Sequence, residues 1–418
     1  MRMKSALGLL VAAISIGAML SCTLSSGGAT GTGFVWIATE GDQQVRAFNI
    51  NLSSGSVSQV GSARATGAQP SAIALTPDGK TLFVVNSTDN DISVYDVNSD
   101  GSLGSPSGTT PTLSQGPSGC STNCLAYGEN PVALAIDPAG KFLYVAEQGV
   151  PGSVSSPGGI SVFSISGNTL SASGPDCPAN FSLTKCPFLV TDPVTGVSTG
   201  PSAVLASPTG NFLYLANQFS NTVASFAYDP SSGALSPLGT PITAGTNPSA
   251  LAFSRCAGIT QGTAVCPAAD GDNLFVANSG SNNVSVFSAC IQTSTCPAAD
   301  GRLVQVTTSP FAAGLSPSAL FVDPVVNFVY AVNSKGNNVT QFRLSSATGV
   351  LTALTPAAVN AGQNPVGGGI TSDGTYAVVS NNNGSSMSIY SVGPGGKLAP
   401  GSTASVALPG QPAAILVR

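Results

Sequence analysis

Histidine is absent from all 418 residues. Without imidazole there is no Ser-His-Asp triad, no Cys-His dyad and no histidine-held metal. Charge is scarce too: Asp, Glu, Lys and Arg together make up 7% of the chain, with a net charge of −5. The basic residues are scattered singly, so the basic stripe that nucleic-acid binding requires is missing. No phosphate-binding loop, nucleophile elbow or dinucleotide fingerprint occurs. Beyond the N-terminus no long amphipathic helical pattern is found. What is abundant is apolar residues, at 42%, with 49 glycines and 30 prolines between short apolar runs. Low charge with that apolar content argues against disorder, and the turn residues point to an all-β fold.

The first 22 residues read MRMKSALGLLVAAISIGAMLSC. Arg2 and Lys4 precede an apolar run from Ala6 to Leu20 that is short for a membrane span. Met19-Leu20-Ser21-Cys22 resembles a lipobox, in which the cysteine is lipidated and becomes the mature N-terminus. Met19 stands where leucine is usual, so the alternative is cleavage by an ordinary signal peptidase. The expectation is a signal over 1–22, a flexible tether over 23–33 and one folded domain over 34–418. Losing Arg2 and Lys4 with the leader makes the mature chain two charges more acidic. The protein is expected to be exported, anchored by lipid at Cys22 in the periplasm or on the cell surface.

Eight further cysteines fall into close pairs: Cys120 with Cys124, Cys177 with Cys186, Cys256 with Cys266 and Cys290 with Cys296. Export permits disulfides, and local pairing is expected, each bridge adding about 2–3 kcal/mol if unstrained. Zinc is the competing reading, but two CxxC half-sites are missing. The AADG segments at 268–271 and 298–301 lack the spaced ligand series of a calcium loop and read as turns. No metal and no cofactor is expected.

An internal repeat decides the fold. Residues 69–98, QPSAIALTPDGKTLFVVNSTDNDISVYDVN, are echoed at 200–226, 247–287 and 316–342. The proline that opens the unit recurs at Pro70, Pro131, Pro201, Pro248, Pro317, Pro365 and Pro412, with spacings of 61, 70, 47, 69, 48 and 47. The bare unit of about 47 residues suits four antiparallel strands, called A to D from the axis outward. Strand A (SAIAL, VALAI) mixes small and larger side chains, as a crowded axis demands. Strand B (LFVV, FLYLA) is apolar throughout, which fits coverage on both faces. Residues 34–62 match strands B, C and D, and QPAAILVR at the C-terminus matches strand A. Together they complete one blade. The fold class is therefore all-β: a seven-bladed β-propeller closed by the C-terminal strand, which leaves no open edge at the seam. With one tryptophan in the chain, Trp36, a quinone-cofactor propeller bearing a tryptophan in every blade is excluded.

These units resemble the YVTN-repeat propellers and the seven-bladed lactonase family, which includes 6-phosphogluconolactonase-like proteins. The residues that carry the resemblance are LFVVN at 82–86, LFVAN at 274–278 and DPSSGALSPLG at 229–239. The resemblance covers nearly all of 34–418 and implies a lactone hydrolase, in which polar and charged residues, histidine among them, surround the channel. No family catalytic residue maps onto a position here.

In this topology B–C loops and D–A connections share one face, and A–B and C–D turns share the other. The long intervals 104–130, 148–158 and 174–200 are placed on the first face around the blade of 131–173, which marks it as a binding rim. The pairs Cys256 with Cys266 and Cys290 with Cys296 belong to the opposite face. Strand B ends in Asn86, Asn217, Asn278, Asn333 and Asn381; the aligned residues are Thr39 and Glu147. This asparagine set reads either as turn capping or as a polar ring at the channel mouth. Glu147 is the candidate site residue, with Glu129 beside it. Glu40, Arg46, Arg255 and Arg343 are further charged candidates, Arg46 and Arg343 being expected at partly exposed positions. Two functions are weighed: a monomeric scaffold binding a small molecule, carbohydrate or envelope protein, and a lactone hydrolase using Glu147 as general base for water.

Overall fold

The computed structural model describes residues 31–106, 130–153, 157–175, 187–191, 196–208, 211–254, 273–291, 300–324 and 327–418. They contain strands and turns and no helix. Seven separate antiparallel sheets form, each with the meander order A-B-C-D. Blade I is the composite one: Pro412–Val417 as strand A, then Thr32–Thr39, Gln44–Asn51 and Val57–Ala65. Its seam runs in register from Val35↔Val417 to Ala38↔Ala414. Phe34 and Arg418 close it by exchanging backbone hydrogen bonds at 2.8 Å. Strand B here starts at Thr32, two residues ahead of Phe34.

Blades II to VII open on Pro70–Leu75, Pro131–Ile136, Pro201–Ala206, Pro248–Phe253, Pro317–Val322 and Pro365–Ile370. Each recurring proline is thus the first residue of an innermost strand, where its missing N–H costs no ladder bond. Each strand A packs against the next, and Pro412–Val417 packs against Pro70–Leu75, closing the ring. Strand B is buried along its length because neighbouring blades cover both faces. Leu82, Phe83, Val84 and Val85 are each 0% exposed. Ala72, Phe83 and Val85 of blade II, for example, share one cluster with Leu134, Leu143 and Val145 of blade III. Burying each such side chain contributes about 1.5–3 kcal/mol relative to exposure.

Two polar devices repeat between blades. Ser71, Ser202, Ser249 and Ser318, the residues after the opening prolines, donate Oγ to the carbonyls of Pro131, Pro248, Pro317 and Pro365 in the next blade, at 2.7–3.0 Å. Asn90, Asn221, Asn282 and Asn337 end their B–C loops with positive φ. Their Oδ1 atoms accept the backbone N–H of Asn130, Asn247, Ser316 and Asn364 in the next blade, at 2.7–2.8 Å.

Strand D differs among blades. In blades VI and VII it is continuous, Leu351–Asn360 and Leu398–Ala407. In blades III to V it is broken into two short pieces that both pair with strand C. In blade III these are Thr169–Ala172 and Phe188–Leu189. The expected placement of 174–200 as one D–A connection is corrected by this pairing. The interval between Ala172 and Phe188 thus separates two pieces of strand D, and the D–A turn follows Leu189.

Candidate functional site

Strand B needs a side chain at its last position that can hold two loops together. Asn86, Asn217, Asn278, Asn333 and Asn381 are all 0% exposed. Asn278 Nδ2 donates to Asn283 Oδ1 at 2.8 Å and Ser285 Oγ at 2.9 Å, and Oδ1 accepts the N–H of Gly245. Asn333 donates to Asn338 and Thr340, Asn86 to Asp91 and Ser93, and Asn381 to Ser386 and Ser388. The D–A turn lies so close over these amides that it uses glycine three residues before the opening proline. A Cβ on Gly67, Gly245, Gly314 or Gly362 would lie 2.5–2.8 Å from the asparagine side chain. The amides therefore tie strand C to strand B in five blades, and Asn217, Asn278 and Asn381 also bond to the D–A turn.

Blade III departs from this pattern. Glu147 ends its strand B, is 1% exposed and accepts a hydrogen bond from Ser161 Oγ, the residue aligned with Ser93. A Cβ on Gly159 would stand 3.6 Å from Glu147 Oε2. Glu147 and Ser161 thus keep the geometry of the asparagine network with a carboxylate at its centre. The adjoining D–A turn departs as well: Ser198 replaces the usual glycine. Ser198 Oγ donates to Gln148 O at 2.7 Å and accepts the N–H groups of Gly158 and Gly200, each at 3.0 Å. Val190 N–H donates to Gly158 O at 2.9 Å, and Thr199 Oγ1 bridges Val190 O and Asn217 Oδ1. The B–C loop of blade III, the D–A turn and the B–C loop of blade IV are thereby one hydrogen-bonded ledge.

That ledge presents apolar groups outward. Val150 is 48% and Leu189 39% exposed. Phe219 is half-buried; its N–H donates to Thr199 O at 3.0 Å and its ring lies against Gly200. A Cβ on Gly200 would meet the ring at 2.4 Å, and Gly200 has φ +72°. The sequence reading passed over Phe219. The signal was available: it is the sole aromatic residue in any of the seven B–C loops.

Blade I carries the other departure. Arg46, expected to be partly exposed, is 5% exposed, because its guanidinium fills the place of Ser93 beneath Thr39. It donates to Thr39 Oγ1 at 2.9 Å and Gln44 Oε1 at 3.0 Å and pairs with Asp42. Burial raises the Asp42 carboxyl, but the hydrogen bonds from Arg46 and Thr39 and the guanidinium charge outweigh it and hold the group below the usual range. Burial pushes the Glu40 carboxyl up. Asp91 also lies above the usual range, through burial and the charge of Asp89, against the hydrogen bond from Asn86. Arg343 stays exposed with its guanidinium 5.2 Å from the centre of the Phe328 ring.

Glu40 and Glu147 stand on blades I and III with blade II between them, so the topology does not bring them together. Glu129, Arg255 and Cys22 lie outside the described residues. So do most of the expected disulfide partners: Cys120 and Cys124, Cys177 and Cys186, Cys256 and Cys266, and Cys296. Of the four expected bridges only Cys290 is placed; it is buried at the start of the C–D connection of blade V, on the face opposite the ledge. Among the described residues no cluster of three metal-ligating side chains occurs.

Comparison with known proteins agrees with this architecture. The profile of the family described as Lactonase, 7-bladed beta-propeller matches residues 29–169 and 176–289. No curated protein sequence matches the chain. A solved structure of a Pseudomonas aeruginosa periplasmic gluconolactonase superposes with a TM-score of 0.68 at 19% identity, covering 92% of this chain and 99% of that one. A candidate 6-phosphogluconolactonase from Bacteroides uniformis gives 0.67 at 16% identity, covering 93% and 100%. A Lactobacillus plantarum protein gives 0.65 at 16%, covering 93% and 99%.

Proposed function

Since the chain belongs to the seven-bladed β-propeller lactonase family, we propose that it is an exported, lipid-anchored propeller that binds a small molecule on the B–C/D–A face at blades III and IV. One observation carries this reading: the hydrogen-bonded ledge built around Ser198, which holds Val150, Leu189 and Phe219 at the surface. Loops fixed before binding lose little entropy when a ligand arrives. Export and anchoring rest on the leader and Cys22. Cys22→Ala is expected to release the protein from membranes, which fractionation checks; unchanged retention removes the anchor from the proposal. The site is tested by a thermal-shift screen of small molecules on the mature chain. A variant with residues 149–158 replaced by a short turn is expected to keep its fold and lose the ligand-induced shift. A ligand located by crosslinking on the A–B/C–D face overturns the assignment.

A second reading, lactone hydrolysis, is favoured by the carboxylate of Glu147 where other blades carry a neutral side chain. Water would add to the lactone carbonyl while Glu147 takes its proton. The ring C–O bond then breaks and the leaving alkoxide recovers that proton, giving the hydroxy acid. Glu147→Gln is expected to lower the rate at least about a hundredfold if this reading holds. A rate equal to that of the parent protein rejects it.

A further inference from the structure

The ledge and the charges around it define what kind of small molecule fits. We infer that Phe219 is a stacking platform for an uncharged ring-shaped ligand and that the surrounding face selects against a phosphorylated one. The inference rests on the ligand-binding reading above and adds the ligand class and the residue that recognises it.

Phe219 has no counterpart in the other blades, and the local structure is arranged to hold it. Gly200 removes the Cβ that would strike its ring, and the Phe219 and Ser220 N–H groups both donate to Thr199 O, at 3.0 and 3.2 Å. A half-buried ring fixed in this way stays partly open to solvent, on the ledge that also exposes Leu189. An aromatic face with polar neighbours suits a ring that has an apolar face and polar edges. Gln148, half-buried on the same ledge, supplies the polar side chain beside that surface.

Charge narrows the class. Among the described residues of this face, the carboxylates are Glu40, Asp42, Asp89, Asp91 and Glu147. The cations are Arg46, already paired with Asp42, and Lys335, on the B–C loop of blade VI, with Arg64 at the rim donating to Leu103 O. Phosphate binding calls for converging arginines, lysines or backbone N–H groups. Here the field is negative and a dianionic phosphate is repelled, most strongly at low ionic strength.

The test is calorimetric titration of the mature chain with two stable probes, gluconolactam and its 6-phosphate, at low and high salt. The uncharged lactam is expected to bind at least tenfold more tightly than its phosphate at low salt, with the gap narrowing as salt rises. Phe219→Ala is expected to weaken lactam binding at least tenfold, and Phe219→Trp to retain it, with both variants melting like the parent. A phosphate that binds as tightly as the lactam overturns the charge argument. Lactam binding unchanged within twofold in Phe219→Ala overturns the platform. The variant lacking 149–158 separates the two levels. If neither probe loses affinity in it, the ledge is not the ligand site and the parent reading fails; if affinity falls there but not in Phe219→Ala, only the present inference fails.

Discussion

Asp91 occupies the position that Asn283 and Asn338 hold in blades V and VI, accepting the same amide hydrogen bond from the end of strand B. Its carboxyl is raised in the fold, so the ionised form is the one that folding disfavours. The linkage then has a definite sign: the penalty is present above the folded pKa and disappears as pH falls through it toward the ordinary aspartate value. Asp91→Asn is therefore expected to be more stable than the parent at pH 7, with the difference vanishing below about pH 4, the ordinary aspartate range. Melting curves across that interval check it; a difference that grows on acidification contradicts it. Glycine is constrained in a different way. Gly396, with φ +73°, sits in the C–D turn of blade VII, and an added Cβ would stand 2.2 Å from the Phe328 ring of blade VI. Gly396→Ala must both strain the backbone and displace that ring, and is expected to cost about 2–4 kcal/mol in urea unfolding. The same contact recurs as Gly101 against Phe34 and Gly301 against Phe212. The sequence shows the glycines only as turn residues; their partners lie in the preceding blade.

At the scale of the strand, the serine after the opening proline does more than fit a crowded axis. Ser202, Ser249 and Ser318 each donate to a carbonyl of the next blade, while Val132, Val366 and Ala413 hold that position elsewhere. Replacing one serine by alanine leaves a buried proline carbonyl without that donor, and is expected to cost about 1–2 kcal/mol. Ser202 and Ser318 act at different interfaces, so the double variant is expected to be additive within about 0.5 kcal/mol. Strong coupling between them in chemical denaturation would mean that the blades do not respond independently. The innermost and second strands were legible in the sequence because proline position and apolar runs mark them. The outermost strand was not. Its pieces, such as Phe188–Leu189, are two residues long, and short polar segments become strands only when an existing edge pairs with them. For that reason 174–200 was read as one D–A connection, whereas Phe188–Leu189 within it pairs with strand C.

At the scale of the whole molecule, the ring depends on its last six-residue strand. Pro412–Val417 supplies the inner strand of blade I and packs on both neighbouring inner strands, with Ala414 and Ile415 0% exposed. Deleting residues 411–418 exposes Trp36, Ile37 and the adjoining faces of two blades. The truncated chain is expected to melt lower by well over 2 °C, since several kcal/mol are lost in one cooperative domain. A melting point within about 2 °C of full length would mean that the seam does not hold the ring.

By itself, the sequence determined the number of blades, the order of strands within each blade and the composite closure. These follow from local periodicity and from a repeat counted to its incomplete ends, and neither requires knowledge of long-range contacts. It also located the unusual residue Glu147. Only the tertiary structure decided what the strand-B asparagines do, because a buried amide bonded between loops and a polar ring open to the channel have the same sequence pattern. Only it revealed that Ser198 and Gly200 set the ledge beneath Phe219, since those contacts join two different blades. Hydrophobic patterning is a property of the chain, whereas a side chain's partners are a property of the space into which the chain folds.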